Sequence, residues 1–275
     1  PCGVPRSQCT PNANQNDFPD LRNNLFLHIN ECLWNVIPLS VNPSSPGQGA
    51  LAVEIRSDDS NLRKFLSEIN NEADYANVIL ERKELQKYGG GCHQKIGVSF
   101  LNTHFGKVKY SKGEAENGSA FYEKIIYKNH NLLSVKAKSS DEIFPAELRD
   151  YNFFNRVEIE NSNKKLSALK DKCIWISRES ALPKNTNIDS SNIIWVSGLE
   201  TWKNIAKRGI WVNGSSDGLG EDIECNIQHL TQNEWIKLTH LDAPPSKIKK
   251  TISTYKLEKN KIFHNLDNKT YFYWM

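Results

Sequence analysis

The 275 residues carry 35 Lys and Arg against 32 Asp and Glu, a formal net charge of +3, with 38% hydrophobic residues and seven Trp. That composition can build real cores, and so slight a positive excess argues against a nucleic-acid surface. No apolar run approaches the roughly 20 residues that span a bilayer, and the N-terminus lacks the charged-then-apolar layout of a secretory signal. Six Cys, at 2, 9, 32, 92, 173 and 225, are too sparse for a disulfide scaffold and contain no Cys-x-x-Cys. The expectation is a reducing, cytoplasmic setting without membrane or nucleic-acid partners; the oligomeric state is open. The sole Met is Met275, and Pro1 comes first, so the sequence reads as a piece of something longer.

Residues 1–32 are rich in Pro, Asn, Asp and Gln, lack periodicity and read as a poorly ordered loop. Residues 32–39 and 50–55 read as short apolar strands on either side of a turn-rich loop at 42–47. Asp58-Asp59-Ser60 can cap a helix in which Leu62, Phe65, Leu66 and Ile69 recur at helical spacing. A second helix is expected from about Glu72 to Tyr88. Tyr75, Ala76, Ile79 and Leu85 form its apolar stripe, its charged residues lie elsewhere, and Gly89 ends it. Residues 96–101 and 105–113 alternate as a hairpin, and 114–150 are ambiguous.

Asn161-Ser162-Asn163-Lys164-Lys165 reads as a linker, which divides the chain into 33–160 and 161–275. Beyond it, strands at 173–178, 193–198 and 209–214 alternate with a helix at 199–208, the pattern of parallel βαβ units. The fold class expected is α/β: a cofactor-bearing α+β part with a small antiparallel sheet and helices, then a partial parallel βαβ domain. Gly218-Leu219-Gly220-Glu221 reads as a solvated acidic turn, and Lys247-Ile248-Lys249-Lys250 as a solvated helix face.

Chemistry is most strongly suggested at Gly89-Gly90-Gly91-Cys92-His93. A thiolate is a good nucleophile whose pKa falls near cations, and three residues without Cβ are expected where backbone curves sharply or lets a ligand approach. The competing reading of Cys92 is a small buried hydrophobe. Gly47-Gln48-Gly49-Ala50 lacks the Gly-Lys of a phosphate loop and leads into a predicted strand, so alone it marks a tight crossover.

Taken together, Pro46-Gly47-Gln48-Gly49-Ala50-Leu51-Ala52-Val53-Glu54, Glu81-Arg82 and Gly89-Gly90-Gly91-Cys92-His93-Gln94-Lys95-Ile96-Gly97 resemble hydroxymethylbilane synthase, also called porphobilinogen deaminase. The resemblance covers roughly residues 33–115. It implies a transferase of porphyrin biosynthesis whose Cys92, with Gly90 and Gly91 around it, carries a dipyrromethane cofactor through a thioether. Porphobilinogen units are joined to that cofactor, so porphobilinogen and the growing pyrrole chain are the implied partners. The family's catalytic Asp and its carboxylate-gripping cations lie upstream of the Gly-Gln-Gly-Ala motif, and residues 1–30 do not reproduce those motifs. The catalytic residues are therefore left unassigned, and no metal is implied. His93 and Lys95 stand where the family commonly has Gln and Pro. Arg82 and Lys95 are candidates to meet cofactor carboxylates, the alternative for Arg82 being a salt bridge along its own helix.

More locally, Trp195-Val196-Ser197-Gly198-Leu199-Glu200-Thr201-Trp202 with Arg208-Gly209, and the final Tyr271-Phe272-Tyr273-Trp274-Met275, resemble uroporphyrinogen-III synthase. That implies a fusion of two consecutive enzymes. The alternatives to a polymerising enzyme are a cyclising activity in the second half, or a fragment without catalysis.

Overall fold

The computed structural model describes residues 32–89, 94–115, 117–128, 142–144, 154–228, 230–248, 250–260 and 269–272. The expected loop at residues 1–31 lies outside them.

Three strands, β1 (Ile96–Thr103), β2 (Gly106–Glu114) and β3 (Ala120–Lys128), form an antiparallel sheet in chain order. The first two are the predicted hairpin, and β3 resolves part of the ambiguous stretch. Helix α1 (Ser60–Ser67) starts where Asp59 accepts the Leu62 N–H, as the sequence suggests. Helix α2 (Glu72–Gln86) is capped by the Asn71 side chain, which accepts from Ala73 and Asp74 N–H. Glu72 and Asp74 in its first turn suit the helix dipole.

The face that α2 buries is not the predicted one. Tyr75 is exposed, and the buried residues are Asn77, Glu81 and Glu84. Those positions follow one another at helical spacing, so they form a stripe, but a polar one. The reason lies in β2. Its side chains alternate across the sheet, so Lys107 and Lys109 face α2 while Val108 and Tyr110 face the other way. Lys107 Nζ donates to Asn77 Oδ1 at 2.7 Å, and Lys109 Nζ to Glu84 Oε1 at 3.0 Å. Glu123 from β3 is the second carboxylate on Lys109, and Lys87 pairs with Glu84 at 2.7 Å. Burial would push the Glu84 carboxyl up, but Lys87 and Lys109 outweigh it and hold the group below its ordinary value. Burial would likewise push the Lys109 ammonium down, but Glu123 and Glu84 hold it above its ordinary value.

The second half is built on a six-stranded sheet. It contains β5 (Phe154–Glu158), β6 (Lys172–Ile176), β7 (Ile193–Val196), β8 (Gly214–Ser215), β9 (Glu234–His240) and β10 (Lys250–Lys259), in the order β5-β10-β9-β6-β7-β8. All neighbours are parallel except β5 with β10. Strands β6 and β7 are apolar almost throughout because both faces are covered. On one side Ile174, Ile176, Ile194, Val196 and Leu238 pack with Leu166 of α3 (Ser162–Ser167) and Ile205 of α4 (Leu199–Ala206). On the other, Cys173, Trp175, Ile193 and Trp195 pack with Ile227 from an irregular segment. A short parallel pair, β4 (Ile143–Phe144) with β11 (Tyr271–Phe272), stands apart from both sheets. The fold is α/β, with the antiparallel part first and the parallel βαβ part second.

Several local expectations are corrected. Residues 32–39 and 50–55 are not strands. The first runs beside β8 through single bonds, Val36 N–H to Asn213 O at 2.7 Å and Asn213 Nδ2 to Trp34 O at 3.0 Å. The second pairs with no strand among the described residues. The expected linker at 161–165 opens α3, with Ser162 and Leu166 buried, and β5 before it already pairs with β10 of the second-half sheet. Of the strand expected at 209–214, only Gly214 enters the sheet. Lys250 begins β10 and pairs with Glu234 at 2.6 Å, so the lysine run is not a helix face.

The Glu84–Lys109 pair sets a pH window. The folded-state pKa of Glu84 lies below its unfolded value, so its contribution is complete above about pH 4.3 and fades as pH falls through the folded value. That of Lys109 lies above its unfolded value, so its contribution is complete below about pH 10.4 and is lost as pH rises through the folded value. Urea unfolding against pH should show stability falling on both flanks. Lys109→Met should lose about 3–5 kcal/mol at neutral pH, because Glu84 is left buried beside one partner only, and should reduce the alkaline fall to the part contributed by Lys87, which Glu84 also holds above its ordinary value. A variant that kept the whole alkaline fall would assign it to another group.

Candidate functional site

Gly90, Gly91, Cys92 and His93 lie outside the described residues, so the site is built from what flanks them. Upstream, α2 ends at Gln86 and the chain turns at Gly89, whose φ of 87° is left-handed as a helix-ending glycine requires. Downstream, β1 begins at Ile96, opposite Gly113, and Glu114 N–H donates to Lys95 O at 3.2 Å. Tyr88 stacks on Phe121 with ring centroids 5.1 Å apart, tying the helix end to β3. The chain is therefore tied to one sheet on both sides of residues 90–93.

The Gly47-Gln48-Gly49 loop meets the same helix. Gly47 and Gly49 have φ of 73° and 80°, the left-handed region that glycine adopts without strain. Gly47 N–H donates to Glu81 Oε2 at 2.8 Å, and the other oxygen, Oε1, accepts Phe100 N–H from β1 at 3.1 Å. One buried carboxylate thus joins the loop, the helix and the edge of the sheet. A second outward donor on that edge, Val98 N–H, is taken by Ser44 O at 2.8 Å, and Ser44 N–H bonds Ser99 Oγ at 3.0 Å. Gly97 permits this approach, since a Cβ there would collide with Pro43 O. Outer-edge N–H groups that would otherwise invite another strand are satisfied locally.

Arg82, next on α2, lies beside Gly47, is exposed and has no ion pair among the described residues. The alternative of a salt bridge along its helix is not what the structure holds. Lys95 pairs with Glu114 at 3.0 Å on the surface. Of the cysteines described, Cys173 and Cys225 sit in the apolar face of the second sheet, where burial pushes each thiol up to about 12. Neither is poised as a thiolate.

No protein-family model matches the chain, and no solved structure does. Curated relatives do. A porphobilinogen deaminase of Geobacillus kaustophilus is 35% identical over 97 residues, 35% of this chain and 31% of the relative. A probable porphobilinogen deaminase of Methanocaldococcus jannaschii is 38% identical over 65 residues, 24% of this chain and 22% of the relative. Part of this chain is related to the porphobilinogen deaminases. The chain spans about a third or less of the length of those relatives.

Within this porphobilinogen deaminase-like part, the sequence motifs flank one helix, but they do not show the task of Glu81. Amid Glu81, Arg82, Lys83 and Glu84, a carboxylate reads as solvent-facing until the Gly47 and Phe100 N–H groups are seen to meet Glu81 and Lys109 to meet Glu84. The expected solvated turn at 218–221 is also corrected. Leu219 is buried against Val108 and Tyr110, with Leu39 beside them. Asp217 accepts from both the backbone N–H and the hydroxyl of Ser40, and its own carbonyl accepts from Lys124 Nζ at 3.2 Å. Burial first, then the Asp217 charge, pushes the Tyr110 phenol up.

In the second half, Ser197 Oγ donates to Ser177 O at 2.6 Å and lies 3.2 Å from Thr201 Oγ1, at the carboxyl end of β7. Arg208 braces the loop at Leu182 and Lys184 through their carbonyls. Among the described residues no three His, Cys, Asp or Glu are grouped to hold a metal ion, and no helix is long and apolar enough to cross a membrane.

Glu81→Gln tests the clamp. The amide keeps one acceptor and turns its NH2 toward a second N–H, leaving a buried donor unpaired at about 1–3 kcal/mol. Urea unfolding should show that loss, and amide exchange at Gly47 or Phe100 should quicken well before global unfolding. Unchanged exchange at both amides would mean that the carboxylate does not hold the loop.

Proposed function

We propose that this chain carries the cofactor-bearing part of a porphobilinogen deaminase and that Cys92 is the attachment residue. The observation behind this reading is that Glu81 binds the Gly-Gln-Gly loop to the helix whose far end leads into the Cys92 turn. The two motifs of the family resemblance therefore belong to one unit.

One cation on α2 suits a dipyrromethane. That group carries carboxylates, and Arg82 offers an exposed guanidinium, uncommitted to any described residue, beside Gly47. When bound through a thioether, a dipyrromethane supplies the acceptor pyrrole to which porphobilinogen is joined. The protein's part is to hold that acceptor. The Tyr88–Phe121 stack and the Lys95–Glu114 pair tie the chain to the sheet on either side of the segment that carries Cys92, which supports this role. The glycines before Cys92 leave room for a bulky load and let the loop shift as it grows. A tethered acceptor reacts at high effective concentration, which is the physical gain of covalent attachment. Among residues assigned here Arg82 is a binding group and Glu81 a positioning one; cytoplasmic placement belongs to the same reading.

The second half supports a separate reading as a uroporphyrinogen-III synthase-like domain. Ser197 and Thr201 lie at the carboxyl end of a parallel strand, where open α/β sheets bind ligands. Conversion of added hydroxymethylbilane to the type III isomer would distinguish it.

The attachment is tested by intact-protein mass spectrometry with Ehrlich's reagent. The chain is co-expressed with a polypeptide covering the remaining length of the relatives. Wild type should carry a two-pyrrole adduct and Cys92→Ser none. A bare Cys92 in a preparation that consumes porphobilinogen would overturn the assignment. Arg82→Ala should still form the adduct but more slowly, seen in the same mass spectra as a lower modified fraction at early times.

A further inference from the structure

Parallel strands of one sheet need a crossover connection, and a helix is the usual one. Between β8 and β9 the chain runs from Ser216 to Asn233 with no helix among its described residues. Ile227 of this segment is buried against Cys173, Trp175, Ile193 and Trp195. A helix would cover the sheet face evenly. The irregular segment instead leaves a cavity of about 340 Å³ between itself and the starts of β9 and β10. The cavity lies at the opposite end of the sheet from Ser197 and Thr201, which stand at the carboxyl end of β7.

The walls are apolar and held in place. Trp175, Trp235, Ile227 and Ile248 line them, together with Cys225. Trp175 Nε1–H donates to Ser216 Oγ at 3.2 Å, and the Trp235 ring meets Trp195 edge-on with centroids 6.2 Å apart. Neither indole has to be ordered when a ligand enters, which lowers the entropy lost on binding. Indole faces attract cations, and the Lys237 ammonium already sits 5.7 Å from the Trp175 ring centroid.

Charge at the mouth is unevenly settled. Glu221 is paired with Lys237, and Glu234 with Lys172 at 3.5 Å and Lys250 at 2.6 Å. Lys247 donates to the Asp222 carbonyl at 3.1 Å. Asp222 and Glu224 are exposed at the lining, and neither carboxylate has an ion pair among the described residues. Lys247 offsets one of these two charges, so the mouth keeps a negative excess. Ligand pockets run from about 300 to 1,000 Å³ and combine mostly apolar walls with a few placed polar groups. This cavity has that make-up at the small end of the range.

We propose that the cavity binds a small, flat aromatic molecule with a protonated amine on a short arm. The ring lies against Trp175 and Trp235, and the ammonium meets Asp222 and Glu224. The indole walls call for the ring, and the unpaired carboxylates select an amine over an acid. The inference is independent of the role proposed for Cys92.

The probe is tryptamine, titrated into the full chain by isothermal calorimetry at neutral pH. Indole, which lacks the amine, and indole-3-acetate, which reverses the charge, are the comparators. Tryptamine should bind saturably at one site per chain, at least tenfold tighter than either. Asp222→Asn combined with Glu224→Gln should weaken tryptamine about tenfold, the worth of a hydrogen bond to a charged group, and leave indole unchanged. Both side chains are exposed, so this variant should keep the wild-type urea midpoint. Saturating tryptamine should also slow alkylation of Cys225, followed peptide by peptide in the unsubstituted chain, which places the ligand without any variant. Absence of saturable binding at millimolar tryptamine overturns the proposal. So does equal or tighter binding of either comparator, affinity indifferent to the double substitution, or alkylation of Cys225 at an unchanged rate.

Discussion

The Glu81 carboxylate is the constraint on which the first half depends. Its two oxygens accept from Gly47 and Phe100, one in a loop and one on a strand edge, while its backbone sits in α2. A buried carboxylate is costly unless its lone pairs are filled, and here backbone donors fill them. Those donors also need it. A glycine loop has no side chains with which to dock, and an edge strand has N–H groups that need partners. The carboxylate satisfies both at once, and the glycine at 97 lets Pro43 and Ser44 cover the rest of the edge.

This explains why α2 buries a polar stripe. Asn77, Glu81 and Glu84 each meet a donor from the sheet, so the helix is held by directional bonds rather than by apolar burial. Such packing contributes less net stability than an apolar face would, but it fixes one register. The apolar side of β2 serves the opposite contact. Val108 and Tyr110 receive Leu219 from the second half, and Asp217 holds Ser40. Strand β2 is therefore covered on one face by its own helix and on the other by a loop more than a hundred residues away in sequence. The two halves share a core rather than a flexible joint.

What was legible in the sequence was what local periodicity determines. The hairpin at 96–113, the span of α2, the Asp59 cap and the alternation of β6, β7 and α4 all follow from patterns within a few residues. What failed depended on distant partners. Residues 32–39 and 50–55 have strand composition, but a strand exists only where an edge is open to it. Glu84 looks solvated unless Lys109 of β2 is known to lie opposite, and Glu81 unless the Gly47 and Phe100 N–H groups are known to meet it. Leu219 looks like a turn residue between glycines until Val108 and Tyr110 are found beneath it. Asn161 to Lys165 has linker composition, yet Leu166 just beyond it pulls the segment onto the second sheet. At the candidate site the motif residues were legible as a set, while the contact that joins them was not.

That contact gives the spacing of the motifs a physical meaning. Helix α2 acts as a ruler between them. From Glu81 to Gln86, where the helix ends three residues before Gly89, is roughly 7.5 Å of axial rise, and each residue turns the helix by about 100°. Inserting or deleting one residue in that interval would rotate the chain leaving the helix by about 100° relative to Glu81, or swing Glu81 off Gly47. Either glycine motif can arise wherever a chain turns tightly. The two together, at a separation that lets one carboxylate serve the first while the helix end presents the second, is a much narrower condition. It is the reason the pairing of Gly47-Gln48-Gly49-Ala50 with Gly89-Gly90-Gly91-Cys92 carries more information than the sum of its parts.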